Sequence, residues 1–195
     1  MQFDEVVKKR KCVRAFKSKK ASWKDIIEAI DSATRGPFAG NVNNIKFVIV
    51  ENPDTIKKLA KHANQHWISQ VGIAVVVCSD DKPLEQKYGE RGRNYTKQQA
   101  GAAIVTLIFK LTDMGLNACW VGAFTDEFVR TVLRIPPHIN VEAIIPIGYE
   151  RPVPTPERRK IALENVLFWE LWGIPRRATP FEEGPELERL PGDVF

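Results

Sequence analysis

The sequence predicts an α+β fold, and three observations carry that reading. Short apolar runs at 47–50, 73–78, 118–121 and 141–147, the first of them β-branched, have strand length. The segments between them repeat apolar residues at helical spacing, without regular βαβ alternation. No G-x-G-x-x-G motif follows a strand and opens a helix, and P-loop, HExxH and G-x-S-x-G motifs are missing, which argues against a Rossmann dinucleotide domain and three common catalytic frames.

Phe3, Val6 and Val7 recur at helical spacing, so residues 2–9 are read as a short helix. Ser22 caps the next helix, with Asp25 three residues on in a variant capping box. Ile26, Ile27, Ala29, Ile30 and Ala33 form its apolar stripe, and Gly36-Pro37 stops it. After the first strand, Asn52-Pro53-Asp54 turns the chain into a helix over 55–63. The second strand closes on Ser79-Asp80-Asp81-Lys82-Pro83. Residues 84–97 are polar and carry Gly89 and Gly92, the composition of a mobile loop or a marginal helix in a lid-like place. Residues 98–114 are apolar nearly all round, so a long, buried central helix is expected, with Gly115 at its C′ position. Thr125-Asp126-Glu127 opens another helix, which ends before Pro136-Pro137. Pro146 marks the last strand as an edge or an irregularity. An extended Pro-rich segment leads to a short amphipathic helix over 161–172. From Gly173 the chain is Pro-rich, acidic and poor in apolar residues, and is expected to pack on the body or on a partner subunit. The expected organisation is one domain over 1–172 and an extension over 173–195.

Bulk properties narrow the function. A chain of 195 residues can bury one sizeable core. Net charge is +5, too modest to argue for nucleic acid, and the basic residues are not interleaved with exposed aromatics. The charge is uneven: residues 1–24 hold nine Lys/Arg against two acids, and residues 178–195 hold five acids against one Arg. Cys12, Cys78 and Cys119 are widely spaced with no CxxC or zinc spacing, so reduced thiols in the cytoplasm are expected. No run approaches the roughly 20 apolar residues of a membrane span, and a soluble cytoplasmic protein is expected.

Four stretches carry candidate chemistry. Arg10-Lys11-Cys12-Val13-Arg14-Ala15-Phe16 sets three cations within five residues; on one helical turn Arg10 and Arg14 would share a face and suit a phosphate. In Gly36-Pro37-Phe38-Ala39-Gly40-Asn41-Val42-Asn43-Asn44, small residues let backbone approach a ligand, and Asn41 and Asn43 can read a heteroaromatic edge. Cys119-Trp120-Val121-Gly122-Ala123-Phe124 ends a strand in a glycine on which a flat ring could stack. Arg158-Arg159-Lys160 is a second cationic cluster. Taken singly, each also reads as ordinary structure: a solvated basic patch, a common turn, core aromatics and a charged face.

In this order and spacing, the four stretches resemble the nitroreductase family of FMN-dependent NAD(P)H oxidoreductases. The long helix followed by Gly115-Leu116, Trp120 and Gly122, and the strand end Ile147-Gly148-Tyr149, belong to the same resemblance, which covers residues 2–172. It implies a central, mostly antiparallel sheet flanked by helices, and a homodimer with a long buried helix and FMN at each interface. Arg10, Lys11, Cys12 and Arg14 would hold the phosphate and ribityl end, helped by Arg158 or Arg159. Pro37, Phe38, Ala39, Asn41 and Asn43 would address the flavin or its ribityl chain, and Val121, Gly122 and Ala123 would lie along the isoalloxazine. NAD(P)H would be the electron donor and a nitroaromatic or quinone the small-molecule acceptor; no metal, nucleic acid or membrane is involved. A dehalogenase-like or flavin-destroying enzyme and a non-catalytic flavin- or nucleic-acid-binding protein are the alternatives. The chain departs from the family pattern at Cys12, where a Ser is usual; at Phe38, Asn43, Asn44 and Ile45; and at Gln98-Gln99, where an Asp is common. A thiol beside two arginines also suggests a redox role for Cys12.

Overall fold

The structure is a computed structural model that describes residues 1–154 and 161–174. The chain divides into two compact units after Val153. Six helices occupy the first, α1 (Phe3–Lys9), α2 (Trp23–Ala33), α3 (Pro53–His62), α4 (Lys82–Tyr88), α5 (Arg91–Asp113) and α6 (Asp126–Leu133). Four strands, β1 (Ile45–Val50), β2 (Ile73–Asp80), β3 (Asn117–Ala118) and β4 (Ile139–Gly148), pair antiparallel throughout in the order β1-β2-β4-β3.

The β-branched runs form strands because both faces of the sheet are covered. On β2, Val75 and Val77 pack into one apolar cluster with Ile26 and Ala29 of α2 and Ala103, Ile104 and Leu107 of α5. Val76 and Cys78 turn the other way, to Ile56 and Leu59 of α3 and Val129 of α6. That is the period-2 alternation of a strand buried on both sides. The β2–β4 register shifts between Val77 and Cys78, which pair with Ala143 and Val141, so Glu142 is the additional residue of a bulge. Glu142 turns to Ser79 and Lys97, accepting from the Ser79 hydroxyl and from Lys97 Nζ at 2.8 Å. Pro146 has no N–H to offer, and its carbonyl accepts from the Cys119 N–H at 3.3 Å.

The helices follow their caps. Ser22 Oγ accepts from Lys24 N–H, and Asn52 Oδ1 accepts from the N–H groups of Asp54 and Thr55. At the end of α5, Gly115 sits at φ +79°, and the Leu116 N–H returns to the Leu111 carbonyl at 2.8 Å, closing a Schellman turn over buried Leu116.

Of the two readings of 84–97 the helical one holds: α4 and the first two turns of α5 occupy it on either side of a turn at Gly89-Glu90. The central helix thus starts earlier than expected and spans 23 residues, and two further expectations are corrected. Gly92 permits this: a Cβ there would run into the backbone of Leu84 and Glu85, so its missing side chain lets α4 lie against α5. The third strand keeps only two ladder residues, after which Val121 makes a separate bridge to Ile144. Residues 161–172 contain one 3-10 turn, Leu163–Asn165, and further turns instead of a helix.

Candidate functional site

The basic stretch is extended, not a helical turn. Cys12 bridges Ala118 in parallel, the Val13 N–H donates to the Ala118 carbonyl at 3.2 Å, and Phe16 bridges Glu150. Val13 and Phe16 are buried and dictate this path, because their side chains fill the core beside α3. Alternate residues of an extended chain share a side, so Arg10, Cys12 and Arg14 point together for a different reason from the one the spacing suggested. The Arg10 guanidinium donates to the Cys12 sulfur at 3.9 Å. Among the described residues, neither Arg10 nor Arg14 has a carboxylate partner. Lys11 lies on the other side, where its ammonium meets Glu150 at 2.7 Å.

Cys119 comes to the same place from the sheet side. It is buried, its thiol donates to the Trp120 carbonyl at 3.9 Å, and the charges of Arg14 and Arg10 reach it. Burial, reinforced by the Cys12 sulfur, pushes the Cys119 thiol up to about 12. Beyond it, the Val121 backbone is used in its two-way pairing with Ile144, while Gly122 and Ala123 are exposed. A Cβ built on Gly122 would meet no atom within 4 Å, so an open face lies over the strand end. The sheet thus sets Cys12 beside Ala118, opposite Ile147 near the end of β4, with Val121, Gly122 and Ala123 following along the same edge from the Val121–Ile144 bridge.

The second loop is held elsewhere, against the N-terminal half of α5. Gln99 Oε1 accepts from the Ala39 N–H at 2.6 Å; Gln99 Nε2 donates to the Val42 carbonyl at 3.2 Å and to Asn44 Oδ1 at 2.7 Å. Asn44 Nδ2 in turn donates to the Asp80 carbonyl and to Thr96 Oγ1. Lys87 on α4 donates to the Gly40 carbonyl at 3.0 Å. This frame holds Gly40 and Asn41 at positive φ, and leaves Pro37 and the Asn41 side chain exposed. Phe38 is half-buried against the α2–α5 core. Asn43 Oδ1 accepts from the Ile45 N–H, which starts β1, so only its NH₂ end faces outward for a ligand. No hydrogen bond or ion pair among the described residues joins this loop to Arg10, Cys12 or Arg14. Arg158 and Arg159 lie outside the described residues.

Gln99, Asn44, Lys87 and Cys119 are the parts of this arrangement to which sequence reasoning gave no role. A signal existed for Gln99: it sits one residue before Ala100 and four before Ala103 on the buried side of α5, where an amide must find partners.

The chain matches the model of the nitroreductase family over residues 7–83 and 70–149. It is 25% identical over 173 residues, 86% of each chain, to a Methanothermobacter thermautotrophicus protein carrying the provisional name NADH dehydrogenase/NAD(P)H nitroreductase. It is 22% identical to the iodotyrosine deiodinase of Thermotoga neapolitana, covering 84% of this chain and 97% of that one. Among solved structures, a nitroreductase family protein from Clostridium difficile 630 superposes with a TM-score of 0.78 at 23% identity, covering 88% of this chain and 99% of that one. With a match that runs through the basic segment, the sheet and the long helix, the chain belongs to the nitroreductase family.

Proposed function

We propose that this protein is an FMN-dependent oxidoreductase that works as a homodimer. The observation that carries the reading is the pair of guanidiniums, Arg10 and Arg14, set on one side of an extended segment without a carboxylate between them, next to the open backbone at Gly122. A phosphate dianion satisfies two such guanidiniums, each able to give paired N–H bonds. Cys12 offers a weak S–H donor between them. The exposed, side-chain-free surface at Gly122 and Ala123 accommodates a flat heteroaromatic ring with Val121 as its floor. The chemistry supplied by bound FMN is hydride transfer from NAD(P)H, through N5, to an electron-poor acceptor such as a nitroaromatic or a quinone. The chain's own contribution is positive potential from Arg10 and Arg14, which favours a more anionic ring.

Pro37, Phe38, Ala39, Asn41 and Asn43 belong to the same site if a second copy supplies them. The loop is locked to α5 and has no bond to the basic segment of its own chain, so a partner's loop is the simplest way to complete the cradle. An apolar outer face supports pairing. Phe3 of α1 is 68% exposed and meets Phe109 of α5 edge-on; Val105 of α5, with Trp23 and Ile27 of α2, is also exposed. Among the described residues, no helix is long and apolar enough to cross a membrane.

The test is the visible spectrum of the purified protein and the identity of the chromophore released on denaturation. FMN near one per chain supports the reading; a protein that stays colourless and takes up no added FMN sinks it. The deiodinase relative favours a second reading, reductive dehalogenation of a halogenated aromatic at the same site. Parallel turnover assays with a nitroaromatic, a quinone and a halotyrosine separate the two.

A further inference from the structure

We propose that the corner between α4 and α5 selects the electron acceptor and favours a flat aromatic ring bearing a carboxylate, an assignment that rests on the flavin reading above, in which the loop around Asn41 addresses the flavin. Two contacts fasten the corner to that loop. The Lys87 ammonium donates to the Gly40 carbonyl at 3.0 Å. The Tyr88 hydroxyl lies against the same residue: a Cβ on Gly40 would run into it and into Lys87 Nζ, so the missing side chain lets both polar ends reach the loop backbone. Whichever copy brings Asn41 to the flavin therefore brings Lys87 and Tyr88 with it.

The rest of the corner continues the same chemistry. Tyr88 meets Tyr95 of α5 edge-on, with ring centroids 5.2 Å apart. Arg91, one turn before Tyr95, has its guanidinium 5.9 Å from the centre of that ring, and Lys87 Nζ is 5.7 Å from the centre of the Tyr88 ring. Lys87, Tyr88 and Arg91 are exposed, and Tyr95 is half-buried. Among the described residues, neither Lys87 nor Arg91 has a carboxylate partner. Glu85, the acid of α4, is taken by Arg93, and the charge of Glu90 falls on Arg93 as well.

Two aromatic rings flanked by two cations without an acid suit one kind of acceptor. Lys87 gives one N–H to Gly40 and keeps two, and Arg91 presents a planar fork of donors. An aromatic ring packs on the tyrosines, and its carboxylate takes charge-assisted hydrogen bonds from the cations. A neutral ring of the same shape gains the packing alone. Because both cations are exposed, the advantage of the anion falls as salt rises. The corner adds no covalent step; it decides which ring is held beside the flavin.

The experiment is a titration of the FMN-loaded full chain with benzoate and with benzamide, which match in shape, differ in charge and are not reduced. Binding is read from the shift of the flavin's visible absorption. Benzoate is expected to bind about tenfold more tightly at low salt, the scale of one charge-assisted bond, and the advantage shrinks as salt is raised. Arg91→Met, which leaves the bond from Lys87 to Gly40 in place, lowers the advantage, and adding Lys87→Met abolishes it. In turnover, 4-nitrobenzoate shows the same advantage over 4-nitrobenzamide in KM. FMN-loaded wild type with no preference for benzoate overturns the proposal, as does a preference that the double variant keeps or that salt leaves unchanged. Protein that takes up no FMN overturns the flavin reading itself, and its colourless spectrum tells that failure apart from the other.

Discussion

Gln99 on α5 and Asn44 at the start of β1 donate and accept across 2.7 Å, both almost fully buried, and through them the loop around Asn41 is fastened to the central helix. Gln99→Ala therefore leaves the Ala39 N–H and Asn44 Oδ1 without partners. At roughly 1–3 kcal/mol per stranded buried group, a loss of about 3 kcal/mol is expected in urea unfolding. Gln99→Glu does no better, because it aims a carboxylate oxygen at the Val42 carbonyl and the Asn44 carbonyl oxygen. Stability equal to wild type in both variants would refute the anchoring role.

Lys11 and Arg10 are neighbours in sequence but face opposite ways. Arg10→Ala should weaken FMN binding by about 10- to 100-fold, the scale of a charge-assisted bond worth roughly 1.5–3 kcal/mol. Lys11→Ala, whose ammonium is already held by Glu150, should cost less than about 3-fold. Titration of flavin fluorescence with the purified variants distinguishes them, and equal losses would contradict the assigned sides.

Gly122→Val adds a side chain where no atom stands within 4 Å of the new Cβ. Unfolding free energy should stay within about 0.5 kcal/mol of wild type, as for other exposed substitutions. FMN affinity should fall at least about tenfold. Undiminished affinity would move the ring away from this strand end.

Cys119 and Cys78 make stability sensitive to alkali. Burial raises the first to about 12 and the second to about 11, against 9.0 for an ordinary thiol. Above pH 9 the unfolded chain gives up these protons while the folded chain keeps them, so the contribution is complete below pH 9 and is lost as pH rises through 11 and 12. At roughly 1.4 kcal/mol per pH unit, Cys78 accounts for about 3 kcal/mol of that loss and Cys119 for about 4 kcal/mol. Cys119→Ala should flatten the decline between pH 9 and 11 in urea titrations, and an unchanged slope would rule out the burial effect.

Much of this arrangement is legible in the sequence where one signal dominates. The runs at 47–50 and 73–78 are strands because valine and isoleucine favour a pleated surface and both faces find helices to cover them. The start of α5 is less legible. Arg91, Arg93, Asn94 and Lys97 all lie on its exposed side, and Gly92 reads as a breaker although it is the contact point with α4. The basic segment misleads for a related reason: a spacing of four serves a helix and a strand alike, and only the burial of Val13 and Phe16 decides between them. In 161–172 the apolar residues promise an amphipathic helix, yet Leu163 and Trp172 remain exposed, at 67% and 90%, and a helix without a face to bury is marginal. The placement of the Asn41 loop is invisible to local pattern, because it rests on contacts with Gln99 and Lys87, about 60 and 47 residues away.

The antiparallel bridge from Phe16 to Glu150, with Lys17 N–H bonded to Tyr149 and Arg151 N–H to Ala15, ties the first part of the chain to a segment made more than 130 residues later. A growing polypeptide leaves the ribosome with its arginines long before they have a neighbour. The anion cradle is therefore among the last parts of the molecule to exist, and closing so long a loop slows its assembly. Flavin capture becomes a step that follows synthesis, and a nascent chain stalled before residue 149 has the basic residues but nowhere to hold them.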